Sequence, residues 1–261
     1  MNSKVAIVTG GNKGVGRGIV YSLVKAGFKV CICYNSSEDF AIETLKKAKE
    51  FCKLNEIAEN NAFLYKCDVS VRDNVKSMVE ETVKRFGGID ILVNNAAMQP
   101  NLPVGMYSME TFAKIWDINI GGYFLCLQEC LPYLKKSECP RVINIASIHA
   151  KRPSVFDVGY SMTKNAIKMF TREAAIELAK YKITVNYIIL GACRIERKTS
   201  AENFGVFSTH TPEKARTKTS FPLGRIPVPK DVGDLIVYLS GEESDIITGS
   251  GIRIDGGSML L

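Results

Sequence analysis

The sequence predicts an α/β fold, in which one doubly wound parallel sheet of about seven strands carries helices on both faces. Short β-rich apolar runs alternate with longer segments of helical spacing, which is the pattern of repeated βαβ units. Nearly every position of these runs is apolar, as in strands that are buried on both faces. The predicted strands span residues 5–9, 29–34, 62–66, 89–93, 142–146, 183–189 and 251–254.

The helical segments carry apolar residues four positions apart, so that each presents one apolar stripe to the sheet. Two such series are Val15, Ile19, Leu23 and Val71, Val75, Val79. Polar residues 53–61 predict a helix end and a loop before the third strand. The long, polar, non-periodic segment 191–221 predicts a substrate lid. No repeat or Pro/Gly-rich linker divides the chain, and we therefore predict one domain over residues 1–261.

Composition excludes several classes of function. The 34 basic and 27 acidic residues give a net charge of +7, but they are interspersed and form no basic stripe for nucleic acid. No apolar run approaches the ~18 residues that span a bilayer, and the N-terminus lacks the apolar core of a signal peptide. We therefore expect a cytoplasmic protein that binds neither nucleic acid nor membrane.

Eight cysteines require an explanation. Cys31, Cys33 and Cys126 lie inside apolar runs, where a free cysteine behaves as a small hydrophobic residue. Cys126 and Cys130 have the spacing of one helix face, but no second pair with metal-ligand spacing accompanies them. We expect buried thiols and no metal site.

The first predicted strand ends in a glycine-rich turn, TGGNKGVG at residues 9–16, where a helical pattern begins. Glycines let the chain turn tightly and let the backbone approach a pyrophosphate, which then lies at the positive end of the helix. A tight turn alone also favours glycine. Its position after the first strand of a βαβ series favours nucleotide binding, although the spacing Gly10-x3-Gly14-x-Gly16 differs from the common G-x-G-x-x-G.

Tyr160 and Lys164 are four residues apart on a predicted helix and therefore share one face. A free phenol has a pKa of ~10 and is a poor base at neutral pH. A nearby ammonium favours the phenolate and lowers the pKa of the phenol toward the working range. Such pairs are common on helices, but Ser147 ends the fifth predicted strand a short distance upstream, which favours a proton-transfer site.

Taken in order, these motifs resemble the classical short-chain dehydrogenase/reductase family over essentially the whole chain. Ser147-Ile148-His149 and residues 34–37 look like those of glucose 1-dehydrogenase relatives, and similar strings occur in 3-oxoacyl-acyl-carrier-protein reductases. The segments that carry the family resemblance are 9–16, Asp68-Val69, Asn94–Ala97 (NNAA), Asn119, Ser147, YSMTK at 160–164 and Asp255-Gly256-Gly257.

The resemblance implies a Rossmann-type fold and an oxidoreductase that moves hydride between nicotinamide and a carbonyl or alcohol. In such an enzyme Tyr160 exchanges the proton of the substrate oxygen and Ser147 hydrogen-bonds that oxygen. Lys164 holds the nicotinamide ribose and tunes Tyr160, and Asn119 anchors the water and backbone network behind Lys164. The presence of all four disfavours a binding-only relative.

The resemblance also implies the cofactor contacts. Asp68 contacts adenine, residues 94–97 line the site, and backbone near Cys193 bonds the carboxamide. Leu190 and Ile195 stand where the family usually has a proline and a threonine, so the loop after the sixth strand departs from the pattern. The expected cofactor residues are Gly10, Asn12, Lys13, Gly14, Val15, Gly16, Tyr34, Asn35, Ser36, Asp68, Val69, Asn95, Ala96, Ala97, Tyr160, Lys164, Gly191 and Cys193.

We predict NADP(H) rather than NAD(H). Dinucleotide folds that prefer NAD usually carry an acid at the end of the second strand, where this chain has Tyr34 and Asn35. Lys13 in the glycine turn offers a positive charge for a 2′-phosphate. The alternative for Lys13 is an ordinary solvated lysine.

The substrate is less well defined. His149 and Phe156 are the expected substrate residues, with Met98, Asn101 and the lid as further candidates. A sugar, polyol or other small secondary alcohol is favoured; a 3-oxoacyl thioester or a steroid is the alternative. An alternative of another class is a non-catalytic NADP(H)-sensing protein. By the same resemblance, apolar helices near 120–135 and 161–179 pair between subunits, which predicts a homotetramer.

Overall fold

The computed structural model describes residues 3–55, 57–153, 157–195 and 221–261. Seven parallel strands form one sheet in the order β3-β2-β1-β4-β5-β6-β7, which confirms the predicted fold class. The strands are β1 Val5–Val8, β2 Lys29–Tyr34, β3 Ala62–Lys66, β4 Ile91–Asn94, β5 Arg141–Ser147, β6 Thr184–Leu190 and β7 Gly251–Ile254. The α-helices that connect or flank them are α1 Gly14–Lys25, α2 Glu38–Leu54, α3 Arg72–Phe86, α4 Met109–Trp116, α5 Gly122–Leu134, α6 Val158–Leu178 and α7 Pro229–Leu239.

The helices cover both faces of the sheet. Because side chains alternate along a strand, Ile7 faces one layer and its neighbours Ala6 and Val8 face the other. Residues of α1, α2 and α7 form the core on the side of Ala6. Residues of α3, α5 and α6 form the core on the side of Ile7. Burial on both faces explains why the strand segments are apolar throughout.

Two details differ from the predicted pattern. Val71 belongs to a helical series in the sequence, but it is the residue before α3 and is 44% exposed, whereas Val75 and Val79 are buried. The edge strand β7 alternates exposed and half-buried residues instead of being buried on both faces. An edge strand has one unpaired side, and helices cover less of its surface.

The order of the strands reverses at β1, whose two neighbours are β2 and β4. Crossovers leave β1 and β4 in opposite directions at this point, and a crevice opens beyond their carboxyl ends, where ligands bind in folds of this kind. The glycine turn follows β1, residues 95–97 follow β4, and Ser147 ends β5. The topology therefore brings most of the sequence motifs to one edge of the sheet.

All eight cysteines are free, and seven of them are buried. Cys31, Cys33, Cys126 and Cys130 lie in the core layer against α3, α5 and α6, as expected of small apolar side chains. Within the described ranges, no three His, Cys, Asp or Glu side chains are grouped as metal ligands would be. Nor does any helix in this part of the chain have the length and apolarity needed to cross a membrane.

Candidate active site

The turn after β1 requires glycine at Gly10, Gly14 and Gly16, either for its backbone conformation or because a side chain would clash. Gly10 and Gly14 have φ of +61° and +54°, in the left-handed region that favours glycine. A Cβ on Gly16 would lie 2.0 Å from the carbonyl oxygen of Gly10 and 2.7 Å from Nδ2 of Asn95. Helix α1 has no acidic residue in its first turn and no side-chain cap. Its first amides therefore point from a helix N-terminus into the crevice, which is the arrangement that binds a pyrophosphate.

The segment after β4 is joined to this turn by hydrogen bonds. Nδ2 of Asn95 donates to the carbonyls of Thr9 (2.9 Å) and Gly10 (3.0 Å). The amides of Asn95 and Ala96 donate in return to the hydroxyl of Thr9 at 2.9 and 3.1 Å. These bonds fix residues 95–97 beside the glycine turn, where the sequence analysis expected them to line the cofactor site. The side chain of Asn95 thus shapes the turn instead of reaching into the crevice.

Asn12 has a similar structural role. Its side chain is buried, and its Nδ2 donates to the carbonyls of Ser36 (2.9 Å) and Ser37 (3.2 Å). The glycine turn and the end of β2 are therefore held together. The exposed Lys13 extends across this junction, with its Nζ 3.5 Å from Oγ of Ser37. Lys13 and Ser36 thus lie at one edge of the crevice.

The end of β2 carries no acid at Tyr34 or Asn35, as the sequence shows. The hydroxyl of Tyr34, however, donates to the carboxylate of Glu38 at 3.2 Å, so an acid from the first turn of α2 does approach this edge. Burial and the bond to Glu38 raise the pKa of Tyr34. The sequence analysis missed Glu38 because it considered only the strand end and not the following helical turn.

Asp68 lies across from Asn35, whose Nδ2 donates to its carboxylate at 3.2 Å. Burial raises the pKa of Asp68, but hydrogen bonds from the hydroxyl and amide of Ser70 and from Asn35 outweigh it, so the pKa is lowered overall. Asp68 is thus a charged acceptor at the end of β3. This position suits a group with N–H donors such as an adenine.

The loop after β6 is ordered through Ile195 despite its departures from the family pattern. The amide of Gly191 donates to Ile254 (2.8 Å), and that of Arg194 donates to Pro227 (2.8 Å). A Cβ on Gly14 would meet the Ile195 side chain at 3.7 Å, so Ile195 borders the space above the glycine turn. Burial and the nearby Asp231 raise the pKa of the Cys193 thiol to about 12, which excludes a reactive thiolate. Residues 196–220 of the predicted lid lie outside the described residues.

Ser147, Tyr160 and Lys164 come together at the carboxyl end of β5. The Ser147 hydroxyl accepts from the His149 amide at 3.2 Å and lies close enough to the Tyr160 hydroxyl to lower its pKa. The Lys164 side chain is 1% exposed, and its Nζ lies 5.5 Å from the centroid of the Tyr160 ring. Nζ donates to the carbonyl of Ile145 at 2.7 Å and to the hydroxyl of Tyr123 at 3.5 Å. The structure therefore brings the predicted pair and serine into one cluster.

Burial shifts the pKa values of Tyr160 and Lys164 in opposite directions, and each shift favours the neutral form of the side chain. The pKa of Lys164 is lowered to about 7 by desolvation. The pKa of Tyr160 is raised to about 12, chiefly by desolvation and also by Asp157, while the hydrogen bond from Ser147 lowers it. In the protein alone Tyr160 is thus a protonated acid at neutral pH.

Asn119 lies in a π-helical turn, Asp117–Gly121, that joins α4 to α5. Its Oδ1 accepts from the Met98 amide at 2.7 Å, and its Nδ2 donates to the Met98 carbonyl and to Oγ1 of Thr163, both at 3.0 Å. Thr163 precedes Lys164 on α6. Asn119 therefore connects the segment after β4 to the helix that carries Lys164 through direct bonds.

A cavity of about 580 Å³ is bordered by His149, by Asp157 and by Ser161, the residue that follows Tyr160. The His149 ring lies 6.4 Å from that of Tyr160, and its Nδ1 is 3.2 Å from the carbonyl of Arg152. Phe156, the other expected substrate residue, lies outside the described residues. Sequence reasoning also missed Asp157, which is buried and accepts from Nε2 of Gln99 at 2.8 Å. Nothing in the sequence distinguishes it from an ordinary helix-capping aspartate.

The fold and the site define a class. The glycine turn, the uncapped start of α1 and the charged Asp68 fit a dinucleotide, and Ser147, Tyr160 and Lys164 place a phenol and a buried lysine at the carboxyl end of β5. This combination is that of an oxidoreductase acting on alcohol and carbonyl groups.

The chain belongs to the short chain dehydrogenase family, whose model matches residues 4–203. It is 32% identical to diacetyl reductase ((S)-acetoin forming) of Staphylococcus epidermidis over 260 residues, 98% of each chain. It is also 32% identical to L-2,3-butanediol dehydrogenase of Corynebacterium glutamicum over 271 residues, 98% of this chain and 99% of that one. A 3-oxoacyl-acyl-carrier-protein reductase of Staphylococcus aureus is 29% identical over 259 residues, 99% of each.

Among solved structures, an acetoin dehydrogenase from Salmonella typhimurium matches with a TM-score of 0.83 at 28% identity, over 99% of this chain and 96% of that one. The family resemblance drawn from the motifs is confirmed. Membership implies a nicotinamide cofactor and chemistry at a CH–OH or C=O group.

Proposed function

We propose that this chain is an NADP(H)-dependent reductase and dehydrogenase that interconverts a small ketone and the corresponding secondary alcohol. The observation that carries the proposal is the cluster of the half-buried Tyr160 with the buried Ser147 and Lys164 at the edge of a dinucleotide-binding crevice. A bound nicotinamide ring supplies or accepts the hydride. The residues of the chain perform the proton transfer and orient the substrate.

The substrate oxygen receives two contacts. The Ser147 hydroxyl lies close enough to that of Tyr160 to lower its pKa, so an oxygen placed between the two can accept from both hydroxyls. In reduction, Tyr160 gives its proton to the oxygen and becomes a phenolate, and Ser147 keeps the oxygen in place. In oxidation, the phenolate of Tyr160 takes the proton of the alcohol.

When Lys164 is protonated, its ammonium 5.5 Å from the ring attracts the negative charge of the phenolate across a medium that excludes water. Asn119 holds the turn of α6 that includes Thr163 and so keeps Lys164 in register. The pKa of about 12 at Tyr160 makes this residue a proton donor at neutral pH, which favours reduction; oxidation is favoured as pH rises.

A small substrate fits the cavity of about 580 Å³ that His149 borders, and the His149 ring lies 6.4 Å from that of Tyr160. The side chains of His149, Lys151, Asp157 and Ser161 give its wall four polar groups, which suits a substrate with a second oxygen next to the reacting carbon, such as a hydroxyketone, a diketone or a vicinal diol. The activities named for the two relatives at 32% identity, on diacetyl and butanediol, support this class. Asn101 is proposed as a further residue in contact with the substrate.

Reduction of a 3-oxoacyl thioester is the second candidate, because the relative at 29% identity is named for that reaction. A steroid substrate and the role of a non-catalytic NADP(H) sensor receive less support. A sensor needs a nucleotide crevice but no aligned Ser147, Tyr160 and Lys164.

The test is an absorbance assay at ~340 nm with NADPH and NADH against diacetyl, acetoin, an aldose, a β-ketoacyl thioester and a steroid, in both directions. We expect reduction of diacetyl or acetoin with NADPH. Turnover of the thioester alone would select the second candidate. Cofactor binding without turnover of any substrate would favour the sensor.

Replacement of Lys13 tests the cofactor preference. In Lys13→Ala we expect kcat/KM for NADPH to fall roughly tenfold, since one charge contact to the 2′-phosphate is lost, while kcat/KM for NADH is unchanged. The matched control is Lys25→Ala, at the far end of α1. Equal losses with both cofactors would contradict a role for Lys13 in the preference, and Glu38 then becomes the residue to replace.

We also propose a cytoplasmic homotetramer assembled through α5 and α6. These helices expose Phe124 (48%), Met169 (56%) and Ile176 (76%), which a subunit contact would cover. Light scattering is expected to give about four times the 28.8 kDa chain mass. A monomeric mass at micromolar concentration would contradict the assembly.

A further inference from the structure

Tyr123 is a buried phenol that no catalytic motif includes. It lies in the first turn of α5, is 1% exposed and packs in a small core cluster with Ala146, Ile167 and Tyr187. A packing role explains the ring. It does not explain the hydroxyl, because a hydroxyl in an apolar core costs free energy unless it is hydrogen-bonded.

The hydroxyl of Tyr123 is directed to the same atoms as Lys164. It donates to the carbonyl of Ile145 at 3.2 Å, and that carbonyl also accepts from Nζ of Lys164 at 2.7 Å. Nζ in turn donates to the Tyr123 hydroxyl at 3.5 Å. The three groups form a closed triangle of hydrogen bonds, which fixes the ammonium more firmly than one acceptor does.

The ammonium lies between two phenol rings. Its Nζ is 5.6 Å from the ring centroid of Tyr123 and 5.5 Å from that of Tyr160. Tyr123 lies on the side of the core and Tyr160 on the side of the crevice. An ammonium has three N–H donors, and the Ile145 carbonyl and the Tyr123 hydroxyl take two of them, so the third is directed toward the site.

We propose that Tyr123 is a positioning residue for Lys164, because its hydroxyl and the Ile145 carbonyl hold the ammonium behind Tyr160. The inference rests on the proposed function and deepens it. Without the hydroxyl, a buried ammonium keeps one acceptor fewer, and its neutral form becomes more populated. Tyr160 then loses part of the charge that stabilises its phenolate, so its deprotonation requires a higher pH.

The ionisable side chains around this triangle come from two helices. Tyr160 on α6 faces Lys164, and Asp157 from the residue before α6 acts on Tyr160. On α5, burial, Tyr160 and Cys126 raise the pKa of Tyr123, and burial raises the pKa of Cys126. Strand β5 contributes the Ile145 carbonyl, which does not titrate. A shift of the pH profile on removal of the Tyr123 hydroxyl is therefore assigned to a change in the ionisation of Tyr160 or Lys164.

The experiment compares wild type, Tyr123→Phe and Tyr187→Phe, the last being a buried tyrosine of the same cluster on β6. Oxidation of 2,3-butanediol with NADP⁺ is followed against pH. In Tyr123→Phe we expect the acid limb of kcat to move up by about 0.5–1 pH unit, with a roughly three- to tenfold lower kcat at pH 7 and an unchanged KM. Tyr187→Phe should leave the limb in place.

A second readout does not depend on turnover. Lysines labelled with ¹³C at Cε report the ionisation of Lys164, assigned by the signal missing in Lys164→Arg. We expect its pKa to fall in Tyr123→Phe and to stay unchanged in Tyr187→Phe. If wild type oxidises no butanediol, the proposed function is wrong. The lysine titration still shows whether the Tyr123 hydroxyl affects the ionisation of Lys164.

An unmoved acid limb with an unmoved lysine titration in Tyr123→Phe would overturn the inference, and so would an equal shift in Tyr187→Phe. Should Tyr123→Phe not fold, 3-fluorotyrosine installed at position 123 keeps the ring and the hydroxyl. Its oxygen is a weaker acceptor, so a smaller shift of the same sign is expected, and no shift would equally overturn the inference.

Discussion

Tyr160→Phe is expected to lose turnover by roughly 10³-fold, within the 10²–10⁴-fold range of general acid catalysis, while it still binds NADPH. The substitution removes only the hydroxyl that meets Ser147, and the phenyl ring still packs over Lys164. The substrate oxygen then has no proton donor of suitable geometry. The loss should appear in kcat and should not be recovered at any pH, since no group remains to titrate.

The measurement is steady-state reduction of diacetyl, with NADPH binding followed by protein fluorescence. Tyr187→Phe is the matched control, because it removes the hydroxyl of another buried tyrosine outside the catalytic cluster. Retention of more than about a tenth of wild-type kcat in Tyr160→Phe would exclude Tyr160 as the acid.

Gly16→Ala is expected to weaken NADPH binding by at least roughly 100-fold. The added Cβ would lie 2.0 Å from the Gly10 carbonyl oxygen and 2.7 Å from Nδ2 of Asn95. These are atoms of the turn and of the side chain that fixes it, so relief of the clash must displace the amides that receive the pyrophosphate. The midpoint of thermal unfolding should fall as well, because Asn95 joins the segments after β1 and β4.

Gly88→Ala is the control, since its Cβ would meet no atom within 4 Å. Gly14→Ala is a second variant of the same turn. Its Cβ would meet only the side chain of Ile195, at 3.7 Å, so it introduces no clash, but its φ of +54° is strained for alanine. Titration of protein fluorescence with NADPH measures all three. Wild-type affinity in a folded Gly16→Ala protein would show that the turn does not bind the cofactor.

Much of this architecture is predictable because the local pattern and the global fold agree. The strands at 29–34, 62–66 and 251–254 coincide with the observed ones, since apolar runs between helical segments have few other interpretations. The pairing of Tyr160 with Lys164 is predictable because residues four apart on a helix lie on the same face.

Other features depend on contacts between distant segments, which a local pattern does not encode. Tyr123 and Lys164 are 41 residues apart and meet only after α5, α6 and β5 pack together. Glu38 lies near the end of β2 because the first turn of α2 packs there, where its carboxylate accepts a hydrogen bond from the Tyr34 hydroxyl. The half-buried Asn95 and the buried Asn12 are recognisable in the sequence, but the hydrogen bonds by which they hold the glycine turn in place are not.

The buried Lys164 has a consequence for folding. In the unfolded chain a lysine has its ordinary pKa of 10.5, and in the folded chain the value is about 7. Between these two pH values the unfolded state binds a proton that the folded state does not, so the free energy of unfolding rises as pH increases through this window. Below pH ~7 both states are charged, and the folded state carries the full cost of the buried ammonium, on the order of 5 kcal/mol. The fold therefore tolerates a destabilising residue at its centre, and an apolar side chain there would give a more stable protein without a catalyst.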